Sequence, residues 1–195
     1  MVIPRHTSFR LQEGVEEGIQ SAYAAMIKDQ ERNDLIFNDL LSALEEGCSP
    51  LLLTERTEHV DEFAEQLKGF AKNIIVLKGG TGKKQRSELA KQIASIPDGE
   101  ERLLIATGRY IGEGFDDARL DTLFLAMPIS WRGTLQQYAG RLHRLHDNKR
   151  VVRIYDYVDL EVPMLARMYK KRLKGYTAIG YSVQALENVL DSQPF

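Results

Sequence analysis

Short apolar segments alternate along the chain with segments in which apolar residues recur every three or four positions. The apolar segments are rich in Leu, Ile and Val, which favours buried β-strands. We predict strands at Leu51–Thr54, Asn73–Leu77, Arg102–Thr107, Thr122–Met127 and Val151–Val158. Strands that alternate with helices predict an α/β fold, with a mainly parallel sheet covered on both faces.

The helical periodicity is clearest on either side of the first predicted strand. Apolar residues at i, i+3, i+4 and i+7 predict a helix from Asn33 to Glu46, with Gly47 as its C-terminal cap, and a second helix around Val60–Leu67. Further helices are expected over residues 87–96 and 133–145, after Leu160 and, more weakly, around Val15–Met26. Val2–Arg10 shows no period, which indicates a connecting segment.

Composition is typical of a soluble globular protein. The chain has 195 residues, of which 43% are hydrophobic and 28% charged. No apolar run approaches the roughly 20 residues that span a bilayer. The single cysteine, Cys48, excludes an internal disulfide. We therefore expect a cytoplasmic protein without a membrane partner.

The net charge of -2 conceals two regions of opposite sign. Leu11–Glu62 contains 13 acidic and 3 basic residues, whereas Trp131–Gly175 contains 11 basic and 4 acidic ones. A basic C-terminal part indicates an anionic partner there, although a solvated charged surface is the simpler interpretation for most single lysines.

The stretch Gln137-Tyr138-Ala139-Gly140-Arg141-Leu142-His143-Arg144 carries the clearest chemical signal. On a helix, Gln137, Gly140, Arg141 and Arg144 share one face. Two guanidiniums and an amide on that face suit an anion, above all a phosphate. The alternative is an ordinary surface arginine pair. Gly140 favours function, because a glycine within a helix costs about 1 kcal/mol relative to alanine.

The same residues resemble a motif of a known family. The pattern Q-x-x-G-R-x-x-R looks like motif VI of superfamily 2 ATP-dependent helicases. Residues 106–116, A-T-G-R-Y-I-G-E-G-F-D, are similar to motif V, and the strand at Leu51–Thr54 is similar to the motif IV region. The three motifs occur in the family's order from Pro50 to about Asp159. The resemblance implies one RecA-like three-layer α/β sandwich.

The resemblance also implies a nucleotide site. Arg141 and Arg144 would be arginine fingers that reach the γ-phosphate of ATP bound with Mg²⁺ on a neighbouring domain. Gln137, Gly114 and Asp116 would lie near the nucleotide, Asp116 as a ribose partner. Planar, permanently charged donors suit the charge that develops on a transferring phosphoryl group.

A second implied set would contact the nucleic-acid backbone. It comprises Thr107, at the end of a strand, and Thr81, Lys83 and Lys84 in the loop after the preceding strand. The sequence Gly79-Gly80-Thr81-Gly82-Lys83-Lys84 is not a P-loop, because Leu77 and Lys84 stand where the pattern needs Gly and Ser or Thr. A solvated loop is the alternative. Gly108 departs from the family, in which many relatives carry an acidic residue at this position.

No Walker A segment and no strand closing in Asp-Glu is present, so the chain resembles only the second motor domain of a helicase. We predict a connecting segment at 1–30, the RecA-like domain at 31–160 and a basic helical extension at 161–195. The chain alone is not expected to hydrolyse ATP. Gln137 stands where RNA-remodelling relatives tend to have His, which favours DNA and the branches linked to DNA repair.

Two alternatives to these assignments bear on chemistry. A stand-alone nucleic-acid-binding or interaction module could keep the helicase-like fold without motor activity. His143 and His146 could be imagined as a metal pair, but no Cys or further His stands nearby to complete a first coordination shell. We therefore assign no metal.

Overall fold

A six-stranded, all-parallel sheet forms the centre of the protein. The computed structural model describes residues 1–12, 14, 18–112, 115–129, 136–144, 146 and 151–185, apart from the side chains of Gln137 and Arg141. The strands are β1 (Val2–His6), β2 (Pro50–Thr54), β3 (Ile74–Leu77), β4 (Leu103–Thr107), β5 (Thr122–Leu125) and β6 (Arg153–Val158), in the order β1-β6-β5-β2-β4-β3.

Seven helices connect or flank these strands within the described residues. They are α1 (Ile19–Lys28), α2 (Gln30–Glu45), α3 (Thr57–Gln66), α4 (Lys83–Ser95), α5 (Gly108–Gly112), α6 (Gln136–Leu142) and α7 (Pro163–Ala178). All five predicted strands are confirmed to within two residues at either end. The short helix α5 directly after β4 is additional to the sequence prediction.

The sheet has helices on both faces, so the predicted three-layer α/β sandwich is confirmed. Because side chains alternate along a strand, Leu51 and Leu53 of β2 face one layer and Leu52 faces the other. The first layer contains α4, α6 and the second half of α7. The second layer contains α2 and α3.

The prediction that Val2–Arg10 forms a connecting segment is wrong for Val2–His6. These residues form β1, which pairs with β6 from Val2↔Ile154 to His6↔Val158. The apolar period is lost because β1 is short and contains Pro4, a residue that sheets tolerate at an edge. The predicted domain boundaries at residues 30 and 160 stay a prediction.

Arg172 is not part of the exposed basic surface that the sequence suggested for the C-terminal helix. Its side chain is 1% exposed and binds Asp156 of β6 through two hydrogen bonds, Nε–Oδ2 at 2.9 Å and Nη2–Oδ1 at 2.8 Å. The Tyr176 hydroxyl donates to Asp156 Oδ2 at 2.9 Å. Burial opposes the charge of Arg172, but the Asp156 carboxylate raises its pKa overall. This network fixes α7 against β6.

We expect Asp156→Asn to destabilise the protein by about 3 kcal/mol or more, because it leaves a buried guanidinium without its counter-charge. Urea denaturation followed by circular dichroism would measure the change in the free energy of unfolding. Glu46→Gln is the matched control, since it removes the partner of the more exposed Arg153 and should cost less than about 1 kcal/mol. Equal losses in the two variants would contradict this account.

Candidate nucleotide and nucleic-acid site

The candidate site lies at the carboxyl edge of the sheet. Because all six strands are parallel, their carboxyl ends reach the same edge, where α/β proteins bind ligands. Thr54 and Thr107 are neighbours in register at the ends of β2 and β4. The motif IV and motif V regions therefore meet at this edge.

Gly108 is the point at which three of the sequence motifs come into contact. The Tyr138 hydroxyl, on α6, donates to the Gly108 carbonyl oxygen at 3.0 Å. A Cβ atom built on Gly108 would lie 2.6 Å from Glu55 Oε1 and 2.8 Å from Tyr138 Oη. Residue 108 must therefore lack a side chain for β2, β4 and α6 to approach as they do.

The carboxylate of Glu55 lies beside Gly108 from the neighbouring strand end. Although the residue as a whole remains exposed, desolvation raises the pKa of Glu55. Sequence analysis missed Glu55 because Gly108, the residue that its carboxylate approaches, is distant along the chain.

The loop after β3 is held against the end of β4. The Gly79 amide donates to Thr107 Oγ1 at 2.8 Å, and Thr81 Oγ1 donates to the Lys78 carbonyl oxygen at 2.5 Å. A Cβ atom on Gly79 would lie within 2.9 Å of the Arg109 side chain, so the close approach of Arg109 requires a glycine there. Gly80 has φ +82°, a backbone conformation that favours glycine.

The residues predicted to contact nucleic acid therefore lie on one loop and the strand end beside it. Thr107 is only 5% exposed and positions this loop through its hydroxyl. Lys83 and Lys84 are exposed in the first turn of α4.

Two of the residues predicted to bind nucleotide are in contact. Arg144 Nη1 lies 3.0 Å from Asp116 Oδ2, with side-chain exposures of 59% and 39%. Asp116 also lines a cleft of about 600 Å³ between α4 and residues 115–119. In this cleft the Arg86 guanidinium lies 4.9 Å from the centre of the Tyr110 ring.

Three other residues of the predicted nucleotide site lie partly or wholly outside the described residues. They are Gly114 and, for their side chains, Gln137 and Arg141. Gly140 is exposed on α6, and a Cβ built on it would have no described atom within 4 Å. This part of the motif VI helix is open to a ligand or to another domain.

Three buried polar side chains are linked by hydrogen bonds beneath the strand ends. His59, on α3, is fully buried, with Nδ1 3.0 Å from Thr54 Oγ1 and Nε2 3.1 Å from Asn33 Oδ1. Asn33 donates its own amide protons to the Ile27 carbonyl oxygen, so its oxygen faces His59. The imidazole is therefore neutral with the proton on Nε2, and Nδ1 accepts from Thr54. Burial, followed by the charge of Arg32, lowers the pKa of His59 from 6.5 to about 3.

The described residues contain no cluster of three or more His, Cys, Asp or Glu side chains that could hold a metal ion. His146 lies 3.7 Å from Asp98, and the His143 ring contacts Tyr181 instead. No helix of the described part is long and apolar enough to cross a membrane.

Comparison with known proteins points to one family. The family model described as "Helicase conserved C-terminal domain" matches residues 33–146. Transcript termination protein A18 of Vaccinia virus (strain Ankara) is 27% identical over 118 residues, which are 60% of this chain and 23% of that protein. Uncharacterized protein 108L of Invertebrate iridescent virus 3 is 38% identical over 95 residues, 49% of this chain and 85% of that protein.

Solved structures show the same fold. T4 UvsW superposes with a TM-score of 0.70 at 15% identity, over 95% of this chain and 40% of that one. The C-terminal part of the Fun30 ATPase domain gives a TM-score of 0.62 at 15% identity, over 85% of this chain and 48% of that one. The chain thus spans less than half of these two structures, and about a quarter of the Vaccinia protein.

We expect Gly108→Ala to destabilise the chain by about 1–3 kcal/mol, because the added methyl group overpacks the contact with Tyr138. The Glu55 carboxylate can swing away, but the buried Tyr138 ring cannot. Tyr138→Phe removes the clashing hydroxyl, so the double variant should lose less than the sum of the single losses. Chemical denaturation of the wild type, the two single variants and the double variant would measure the coupling energy between residues 108 and 138.

Gly140→Ala is the control for the double-mutant cycle of Gly108→Ala and Tyr138→Phe. It adds the same methyl group to the exposed side of α6 and should stabilise the isolated chain by up to about 1 kcal/mol. Strictly additive losses for Gly108→Ala and Tyr138→Phe would show that the two residues do not oppose each other.

We expect His59 to make the stability of the protein depend on pH below about 6.5. Because the pKa of His59 is about 3 when folded and 6.5 in its reference state, the unfolded chain binds the extra proton between these values. The stabilisation that neutral His59 contributes is fully present above about pH 6.5. It decreases on acidification, and the free energy of unfolding falls with a slope approaching about 1.4 kcal/mol per pH unit.

The test compares His59→Gln with the unmodified chain by denaturation across a pH series. The neutral glutamine should remove this contribution, so the difference in stability should shrink as pH falls. The exposed His143→Gln is the control and should keep the wild-type slope. A constant difference between His59→Gln and the wild type would rule out His59 as the titrating group.

Proposed function

The chain belongs to the helicase conserved C-terminal domain family, and on that premise we propose that it is the second motor domain of an ATP-dependent DNA helicase or translocase. It would complete a nucleotide site carried mainly by an N-terminal RecA-like domain and would contact the nucleic-acid backbone. Its place of action would be the cytoplasm.

The contact between Arg144 and Asp116 carries this proposal. The two residues come from different motifs and meet at 3.0 Å while both stay exposed. Exposed ion pairs contribute only about 0–1 kcal/mol, so a phosphate can replace the carboxylate at little energetic cost. Arg144 would then reach the γ-phosphate, and the released Asp116 would accept hydrogen bonds from ribose hydroxyls.

The other predicted residues fit around this pair. Arg141 would be a second finger, since it lies three positions before Arg144, and Gln137 and Gly114 would lie near the nucleotide. ATP with Mg²⁺ would supply the phosphoryl group and the charge that these arginines meet. Mg²⁺ would be bound mainly by the N-terminal domain.

The nucleic-acid contacts would lie on the loop between β3 and α4. Lys83 and Lys84 are exposed in the turn that Thr81 and Thr107 hold in place. Exposed lysines suit a phosphate backbone without sequence preference. The Vaccinia virus relative is named as a transcript termination protein, which supports a role on nucleic acid. DNA is favoured over RNA by Gln137 alone.

We expect Arg144→Ala, made in the protein that carries both motor domains, to lower the ATPase rate by about 10³-fold while ATP binding is largely kept. A finger arginine acts on charge that develops in the transition state, so its loss raises the barrier more than it weakens the ground state. Arg144→Lys should rescue little, because an ammonium lacks the planar fork. Steady-state ATPase kinetics with DNA present, and titration with a fluorescent ATP analogue, would measure both quantities.

Arg10→Ala is the matched control. It removes an arginine of another exposed ion pair, Arg10–Glu161, and should leave the rate unchanged. The 195-residue chain by itself should hydrolyse ATP only at background. If Arg144→Ala and Arg141→Ala both kept near wild-type rates, the motif VI face would be structural. The alternative of a nucleic-acid-binding or interaction module without motor activity would then be preferred.

A further inference from the structure

The two helical layers carry opposite charge. In the second layer, the charged side chains of α2 and α3 are acidic except Arg32, which is buried against Asp159; the acidic ones are Glu31, Asp34, Asp39, Glu45, Glu58, Asp61, Glu62 and Glu65. In the first layer, the only carboxylate of α4 and α7 is Glu88, against Lys83, Lys84, Arg86, Lys91, Arg167, Lys170, Lys171 and Lys174; Arg172 is buried against Asp156. A polyanion is therefore attracted to the first layer and repelled by the second.

Four of these cations lie on one exposed face of α7. Arg167, Lys170, Lys171 and Lys174 follow each other at i, i+3, i+4 and i+7 and are all exposed. We call these four residues the α7 stripe. The helix contains no acidic residue. Among the described residues, no carboxylate oxygen lies within 4.0 Å of the charged groups of the stripe.

The direction in which the stripe faces is fixed by the opposite side of the helix. Leu165, Arg172 and Tyr176 are buried there, and Arg172 and Tyr176 both bind Asp156 of β6. The helix cannot rotate to neutralise the stripe without breaking this buried network. Like charges three and four residues apart on a helix repel each other and destabilise it. The free chain therefore carries an electrostatic cost that an anionic partner would remove.

We propose that the α7 stripe is a further binding surface for the phosphate backbone of nucleic acid, separate from the strand-end loop that carries Lys83 and Lys84. The proposal rests on the proposed function and adds a second contact to it. The stripe is about 10 Å long, and the same length of duplex carries about six phosphates, enough for all four cations. Tyr169, the aromatic residue within the stripe's span, lies near the buried Arg172, so the surface suits backbone contacts and not base stacking.

The direct test is the triple variant Lys170→Gln, Lys171→Gln and Lys174→Gln of the 195-residue chain. Binding to labelled single-stranded DNA, duplex DNA and RNA of one sequence is measured across a salt series. Each lost phosphate contact lowers the slope of log K against log salt by about 0.7–0.9, so the slope should become shallower by about 2 to 3. At low salt the affinity should fall at least about tenfold.

Two controls separate this effect from net charge and from misfolding. The triple variant Lys28→Gln, Lys68→Gln and Lys72→Gln makes the same change in charge on exposed lysines outside the first layer, and should keep the wild-type slope. Thermal unfolding of the α7 variant should occur at the wild-type temperature or slightly above it, because repulsion within the stripe is relieved.

Lys83→Gln with Lys84→Gln distinguishes the further surface from the proposed function. If this double variant flattens the salt dependence and the α7 variant does not, the α7 surface is rejected while the strand-end contact stands. If the unmodified chain binds no nucleic acid at low salt, both proposals fail. If the α7 variant loses binding to a polyglutamate peptide or to vesicles containing anionic lipid, but binds nucleic acid as before, the stripe serves an acidic protein or a membrane surface and the proposal is overturned.

Discussion

The parallel arrangement of all six strands is the constraint on which the candidate site depends. Parallel pairing sends every carboxyl end to one edge, so the segments after β2, β3 and β4 meet there although they are far apart in sequence. Backbone groups of the strands are paired within the sheet. The loops beyond them are therefore free to differ in sequence, provided that they pack against each other where the strands end.

Packing at this edge is closest at two consecutive residues. Thr107 accepts a hydrogen bond from the loop after β3, and Gly108 accepts one from Tyr138 on the motif VI helix. The hydrogen bond that holds the loop and the one that holds α6 are therefore made by neighbouring residues, so a shift of the loop is transmitted to α6 through one peptide unit. Because the proposed nucleic-acid contacts lie on that loop and Arg144 follows α6, this junction is a short physical connection between the two halves of the proposed function. Packed contacts and hydrogen bonds of this kind are one means by which two sites are coupled energetically.

Much of this arrangement could be predicted from the sequence, and the failures have physical causes. The strands from β2 to β6 are mostly apolar and mostly buried, so their signal is local. The edge strand β1 is short and contains Pro4, and its pairing with β6 depends on residues some 150 positions away. Arg172 looks like its exposed neighbours, because only the fold brings Asp156 beneath it. The resemblance to motifs V and VI predicted that Asp116 and Arg144 lie near one nucleotide. Their side chains are in contact, and the nucleotide site itself stays a prediction. Glu55 and Tyr138 gave no such signal, since both matter through their contact with Gly108, which is distant from them along the chain.

The distribution of charge shows why net charge was a poor guide to partners. A value of -2 would suggest indifference to a polyanion, yet the helices of the two layers differ in sign. The acidic layer keeps the whole chain near neutrality, while the four cations of the α7 stripe have no carboxylate oxygen within 4.0 Å among the described residues. At physiological salt the Debye length is about 8 Å, so a phosphate near α7 responds mainly to the nearest cations and little to carboxylates across the sheet. A bound strand would therefore be oriented by the protein as well as attracted to it, with the motif VI helix and α7 on the same side of the sheet.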